Sequence, residues 1–378
     1  MKLSKKDIRS LVEITRKMIN FKTPAPIGNE YLCKNYILKL MDDIGMSARI
    51  VAKNPKRINI IGEYGNGKQT LALACHIDTV AAGEGWNNNP YKAVVKNGRI
   101  IGRGAIDNKG PLAITYTAIR KFIEHFPNFD GKIVFVALAD EETDNIFGIK
   151  HLLEKKTLEG VNSALIPDGG YFNKLEIGEM GCVQVEIKSL GKAAHSALVK
   201  KPQNAIKNLA NLIIKLYLIN WSSNYNKNFQ KTRVNISIIN GGGIPNSVPS
   251  YASAQLDIRY PLGIRSNDII NKLSSVIKQE SGKFKVNIVY TTEPHYVTNK
   301  KLIDSFISAA SNLKIKMDKI TIAGNSVAKE FNLAGIPAIV HYPMEKITAH
   351  EPNEYIDISQ MEKTTELYYE FLKTYFNV

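Results

Sequence analysis

Apolar residues recur three and four apart over residues 5–21 and again over 30–44, which is the spacing of amphipathic helices. Ser4 with Asp7 supplies a capping box for the first of them. Short apolar and β-branched runs then predict strands at 47–51, 57–62, 69–75, 132–139 and 163–167. Residues 91–95 and 99–102 read as a hairpin around Asn97-Gly98, and Pro111 opens a helix running to about residue 125. A further helix is expected over 146–155. From about residue 180 the order changes to strand (183–188), helix (204–219), strand (232–239), strand (251–259), helix (267–280) and strand (285–289). That order suits a small α+β unit set into the main domain. The earlier rhythm then returns, with a helix at 302–313, strands at 319–323 and 337–342, and a last helix capped by Ser359 and Glu362. The stretch GEYGNGKQT, residues 62–70, mimics a phosphate-binding loop through Gly62, Gly67 and Lys68. Gln69 stands at the hydroxyl position and a strand follows instead of a helix, so it reads as a hairpin turn.

The patterning predicts a mixed α/β chain: a discontinuous main domain, residues 1–179 and 294–378, and an inserted ferredoxin-like α+β domain, residues 180–293. A chain of 378 residues is long enough for both.

Several predicted strands end in residues able to do chemistry. The run LALAC delivers His76 and Asp78, two apart, so both belong to one face at the strand's carboxyl end. Open α/β sheets place ligands at that edge. Asp107 falls in a loop rich in glycine (Gly102, Gly104, Gly110), where a carboxylate is either a helix cap or a ligand. The strand KIVFVALA closes on Asp140-Glu141-Glu142, and neighbouring carboxylates there can divide the work, one binding metal and one moving protons. Asp168 follows another strand beside Gly169 and Gly170, and His350 sits in the loop before the last helix. His76, Asp107, Glu142, Asp168 and His350 make a set of nitrogen and oxygen donors large enough for two divalent ions sharing a carboxylate. Imidazole and carboxylate without thiolate fit zinc first, with cobalt or manganese as alternatives.

Charge and cysteine content change this picture little. The net charge is +15, yet the lysines are scattered, and no basic run carries the interleaved aromatics or motifs of a nucleic-acid module. No apolar run approaches the roughly 20 residues of a membrane span, and the amphipathic start lacks a cleavage signal. Three widely spaced cysteines point to a reducing, cytoplasmic setting.

The segments HIDTV, Trp86 to Pro90, GRGAIDNKGPLA, ADEET, PDGG, GKAAHSA, IPNSVPSYASAQLDIRY and AHEPNEYI, in this order, resemble those of the M20 metallopeptidases. That family includes desuccinylase, deacetylase, aminoacylase, carboxypeptidase and dipeptidase members. The resemblance implies amide hydrolysis at a pair of divalent ions, on an N-acyl amino acid or short peptide. It implies Asp107 as the bridging ligand, His76 and Asp168 on one ion, and Glu142 and His350 on the other. It implies Asp78 as the residue orienting His76, and Glu141 as general base. His195 is expected to polarise the scissile carbonyl, from the partner subunit in dimeric members, and Asn246 and Arg259 to hold the substrate carboxylate. A homodimer through the inserted domain is implied as well. The pattern departs at Gly324-Asn325-Ser326-Val327, where many relatives carry Asp in place of Val327. It also departs at Asp168, where deacylases mostly have Glu and dipeptidases and aminopeptidases more often Asp. Unblocked dipeptides therefore stay open as substrates beside N-acyl amino acids, as does a catalytically inactive metal-binding relative.

Overall fold

Ser4 and Asp7 close the expected capping box: the Asp7 N–H donates to Ser4 Oγ at 3.2 Å and the Ser4 N–H to Asp7 Oδ2 at 3.1 Å. Helix Lys5–Asn20 follows, with Leu11, Ile14, Met18 and Ile19 buried along one stripe. The computed structural model describes residues 1–169, 171–198, 200–221, 225–345 and 348–378. It divides into two compact units. The larger is Met1–Ile177 with Val297–Ile320 and Ser326–Val378, and the smaller is Gly178–Tyr296 with Thr321–Asn325.

The larger unit is built on a mixed sheet. Its strands lie in the order Ser47–Asn54, Arg57–Gly65, Lys132–Leu138, Thr70–His76, Ser163–Ile166, Ala338–His341 and Lys174–Glu179. The middle four are mutually parallel, so their carboxyl ends share one edge. Thr70 faces Lys132 and His76 faces Leu138, which fixes the register at that edge. Ala72, Ala74, Val136, Leu138, Ile166 and Val340 pack with Leu152, Val327 and Phe331 into one apolar cluster. Each fully buried Val, Leu, Ile or Phe of this cluster contributes about 1.5–3 kcal/mol.

The strand order corrects the reading of residues 62–70. Arg57–Gly65 and Thr70–His76 do not pair; Lys132–Leu138 lies between them. The segment steps over the start of that strand, with the Gly67 N–H donating to the Gly131 carbonyl at 3.1 Å. A Cβ on Gly67 would sit 2.3 Å from the Gly131 nitrogen, so only glycine fits the crossing. The expected helix over 146–155 shrinks to Ile149–Glu154, because residues 140–148 form a loop around Asp140. Asp140 Oδ2 accepts the Phe147 N–H at 2.9 Å. The last helix, Ile358–Phe376, starts one residue before Ser359, with Asp357 at its cap position and engaged by Arg99. Strand Lys174–Glu179 and helix Val327–Leu333 are additional to the sequence reading.

His341 carries a testable pH dependence. It is wholly buried, its Nε2 donates to the Phe172 carbonyl at 2.7 Å, and the Tyr368 hydroxyl lies 3.0 Å from Nδ1. Burial pushes its pKa down from 6.5 to about 4. The unfolded imidazole therefore gains a proton at a pH where the folded one remains neutral. The stability is fully present above the unfolded value of 6.5 and is lost as pH falls toward 4, by about 3 kcal/mol in all. His341→Gln should flatten the acid limb of the unfolding free energy of the metal-free protein across that window. An unchanged limb in denaturant titrations would overturn the assignment.

The smaller unit runs strand, helix, strand, strand, helix, strand: Gly181–Leu190, Ala205–Leu218, Arg233–Gly241, Tyr251–Tyr260, Ser266–Lys278 and Lys283–Thr292. All adjacent pairs of its four-stranded sheet are antiparallel, with Gly181–Leu190 and Tyr251–Tyr260 in the centre. Leu209, Leu212 and Leu216 from one helix and Ile269, Leu273 and Val276 from the other cover Val185, Ile187, Leu256 and Ile258. Residues 321–325 join this unit, the Thr321 hydroxyl donating to the Asn228 carbonyl at 2.5 Å. Among the described residues no helix is long and apolar enough to cross a membrane.

Candidate metal centre

Four of the loops that follow the parallel strands converge at one edge of the larger sheet. His76 ends its strand, and its Nδ1 lies 3.1 Å from the Asp78 backbone carbonyl and 3.5 Å from Asp78 Oδ1. Donation from Nδ1 leaves Nε2 as the atom facing the site, the arrangement that orients a metal-binding imidazole. That Nε2 is 2.8 Å from Asp107 Oδ1 and 4.0 Å from Asp168 Oδ2. On the other side, His350 Nε2 is 3.1 Å from Asp107 Oδ2 and 3.3 Å from Glu142 Oε2. One Asp107 oxygen thus faces each histidine. The Asp107–Asn108 peptide is cis.

Asp78 does more than border His76. Its Oδ1 accepts the Glu141 N–H and its Oδ2 the Glu142 N–H, each at 3.1 Å, so it fixes the acidic turn against the end of the next strand. Donor atoms of His76, Asp107 and Glu142 lie within 4.8 Å of one another, and so do those of His76, Glu141 and Asp168.

The electrostatics fit a site for cations. Burial and the carboxylates of Asp168, Glu142 and Asp107 push Glu141 well above the ordinary carboxylate range. Burial and Asp107 raise Asp168 to about 7. Burial also works to raise Asp107, but the imidazoles of His350 and His76 outweigh it and hold that carboxyl low. Asp107 and Glu142 lift His350 to about 10. Four carboxylates crowd two imidazoles, and the burial and mutual repulsion that push Glu141 and Asp168 up are what a bound cation would relieve. Ligand atoms around one tetrahedral zinc, with bonds of about 2.0–2.1 Å, stand about 3.3 Å apart. The contacts of Asp107 with both histidines, and of His350 with Glu142, lie near that spacing, at 2.8–3.3 Å. The residues present therefore fit two divalent ions.

The model of peptidase family M20/M25/M40 matches residues 72–374, about four-fifths of the chain. The chain belongs to this peptidase family. It is a metal-dependent hydrolase of amide bonds. A succinyl-diaminopimelate desuccinylase of Buchnera aphidicola subsp. Acyrthosiphon pisum (strain APS) is 24% identical over 375 residues, covering 96% of this chain and 98% of that protein. The fold is similar to that of a tripeptidase of Staphylococcus aureus subsp. aureus Mu50, at TM-score 0.80 and 19% identity over 98% and 99% of the two chains. A dinuclear metal-binding peptidase of family M20 from Bacillus subtilis superposes at TM-score 0.72, with 14% identity over 97% and 98%.

The remaining expected site residues of this M20 chain lie in the smaller unit. His195 is exposed, and its segment pairs with the one carrying Asn246: His195 bridges Ser247, and the Ser196 N–H donates to the Asn246 carbonyl at 3.0 Å. Arg259 is engaged within its own strand. Its Nε and Nη2 donate to the two oxygens of Asp257 at 2.7 and 3.0 Å, and Nη1 to the Ala323 carbonyl at 3.1 Å. Val327, at the departure from the family pattern, is 2% exposed within the core of the larger unit, while Ser326 caps its helix by accepting the Ala328 N–H. Gly170 of PDGG lies outside the described residues.

The sequence reading missed a buried charge network behind the acidic turn. Arg57 Nε donates to both oxygens of Glu30 at 2.9 and 3.0 Å, and Nη2 lies 2.9 Å from Asp140 Oδ1 and 3.8 Å from Asp78 Oδ2. Nothing in the period of a strand marks its first residue as a buried cation.

Proposed function

We propose that this M20 hydrolase cleaves the amide bond of N-acyl amino acids carrying a free α-carboxylate. What supports the reading is that the donor atoms of His76, Glu141 and Asp168 lie within 4.8 Å of one another, as do those of His76, Asp107 and Glu142, with His350 Nε2 3.1 Å from Asp107 and 3.3 Å from Glu142. Two divalent ions held by His76, Asp107, Glu142, Asp168 and His350, zinc before cobalt or manganese, would polarise the amide carbonyl and lower the pKa of water toward about 7. Glu141 takes the proton of the attacking water and returns it to the leaving amine. Asp78 keeps that carboxylate in place by holding the backbone N–H groups of Glu141 and Glu142. His195 adds a donor for the developing oxyanion. We assign Asn246, on the segment paired with that of His195, and Arg259 to the substrate carboxylate.

Assembly as a homodimer through the smaller unit belongs to the same proposal. Ile238 and Ile239 on one edge strand of its sheet, and Val286, Ile288 and Val289 on the other, are exposed. A reducing, cytoplasmic setting suits Cys33, Cys75 and Cys182, all buried thiols.

The second reading is cleavage of unblocked dipeptides, favoured by the shorter carboxylate at Asp168. The test is one panel of N-succinyl, N-acetyl and N-carbamoyl amino acids beside unblocked dipeptides, with ninhydrin detection of the amine released by zinc- or cobalt-loaded protein. Release from blocked amino acids is expected. Cleavage of dipeptides alone would replace the first reading with the second. Full metal loading without turnover on any amide would leave a metal-binding relative that has lost catalysis.

A further inference from the structure

Arg103 and Glu354 form a buried ion pair at 2.6 Å, with side-chain exposures of 1% and 0%, and neither takes part in the reaction described above. Their other hydrogen bonds run to the backbone of the loops that carry the site. Glu354 Oε2 accepts the Gly104 N–H at 3.2 Å, and Oε1 accepts the N–H groups of Ile106 at 2.8 Å and Asp107 at 3.2 Å. Arg103 Nη2 donates to the carbonyls of Ala82 at 3.1 Å, His350 at 3.3 Å and Ala81 at 3.4 Å. The guanidinium also faces the Trp86 ring, 5.2 Å from its centroid.

The two ends of the pair therefore grip the main chain at Asp107 and at His350, whose side chains approach to 3.1 Å. They also grip the segment that leaves His76 and Asp78. These loops have no sheet register of their own at the points gripped. His76 differs, because its strand fixes it opposite Leu138. On the His350 side the clasp holds both partners, Asp107 and His350, whereas on the His76 side it holds Asp107 alone and the sheet fixes His76.

We propose that Arg103 and Glu354 are positioning residues that set the distance between Asp107 and His350 and thereby the affinity for the second of two divalent ions. This rests on the reading that Asp107 and His350 hold an ion. Outer partners of metal ligands typically contribute about 10–100-fold in affinity, and that is the size of effect at issue.

The test titrates metal-free full-length protein with zinc by calorimetry, with bound metal counted after dialysis. Glu354→Gln keeps the shape but replaces one acceptor oxygen with a donor. Arg103→Lys keeps the charge but loses the fork that reaches two loops at once. Both should weaken the second ion about 10–100-fold and the first by clearly less, since on that side only Asp107 is held by the clasp. Tyr368→Phe is the control for a general loss of stability, since it removes a buried hydrogen bond to the His341 carbonyl. It should lower the unfolding midpoint and leave both zinc affinities unchanged. Wild-type affinity for both ions in both variants would overturn the proposal, as would equal weakening at both ions. Wild-type protein that binds no zinc would instead overturn the underlying metal reading. If Glu354→Gln fails to fold, Arg103→Lys decides the matter by the same measurement.

Discussion

Glu141→Gln should abolish nearly all turnover while the fold and the metal content stay those of the wild type. The substitution changes one oxygen to an amide nitrogen and adds no volume. The Glu141 N–H remains bound to Asp78, so the turn is kept. The ligand contacts of Asp107 with His76 and His350, and of His350 with Glu142, do not involve the Glu141 side chain. What is lost is the ability to accept a proton at a position within 4.8 Å of the donor atoms of His76 and Asp168. General acid–base catalysis typically supplies about 10²–10⁴-fold, and in the proposed mechanism Glu141 serves both at attack and at departure of the amine, so the loss should reach at least that range. The check is kcat and kcat/KM on the best substrate of the panel at saturating zinc, beside metal content per chain. A fall in kcat with both ions retained supports the role. Retained turnover would remove Glu141 from the chemistry, and loss of an ion would make it a ligand instead.

The residues at the strand ends were legible because two local signals coincide there: an apolar run that stops, and a carboxylate or imidazole where it stops. His76, Asp78, Glu141, Glu142 and Asp168 all carry that signature, and the parallel register brings them to one edge. Strand neighbours were not legible. The pattern gives the position of each strand along the chain but not which strand lies beside it, so Lys132–Leu138 entering between Arg57–Gly65 and Thr70–His76 had no advance signal.

Buried charges were equally hidden. Glu30, Arg57, Arg103 and Glu354 look like any polar residue at the end of an element, and only tertiary packing shows that their charges are paired away from water. Val327 shows the converse. Its position in the family pattern pointed to the substrate, while its burial beside Phe331 and Val340 makes it a packing residue. Asp257 was within reach of sequence reasoning, since residues two apart on a strand share a face and Arg259 is two residues away.

Asp107→Asn should reduce bound zinc from two ions per chain toward one and cost more than either change at the Arg103–Glu354 clasp. Both carboxylate oxygens of Asp107 are engaged, one facing His76 at 2.8 Å and the other facing His350 at 3.1 Å. An amide leaves an oxygen on one side and a nitrogen that cannot serve as a ligand on the other. Whichever way it turns, one histidine keeps its shared oxygen and the other loses it. Loss of an outer partner typically costs about 10–100-fold, so loss of a ligand atom should exceed about 100-fold at the affected ion. At a fixed zinc concentration well above the Kd of the weakened site, a 100-fold weaker site removes about 2.7 kcal/mol of metal-linked stability. The rise in unfolding midpoint on adding zinc, taken from each protein's own metal-free midpoint, should shrink accordingly. Two measurements check this, metal content after dialysis and the zinc dependence of thermal unfolding. Two ions held at wild-type affinity would show that Asp107 is a helix-start carboxylate beside the histidines and not the bridge between two ions.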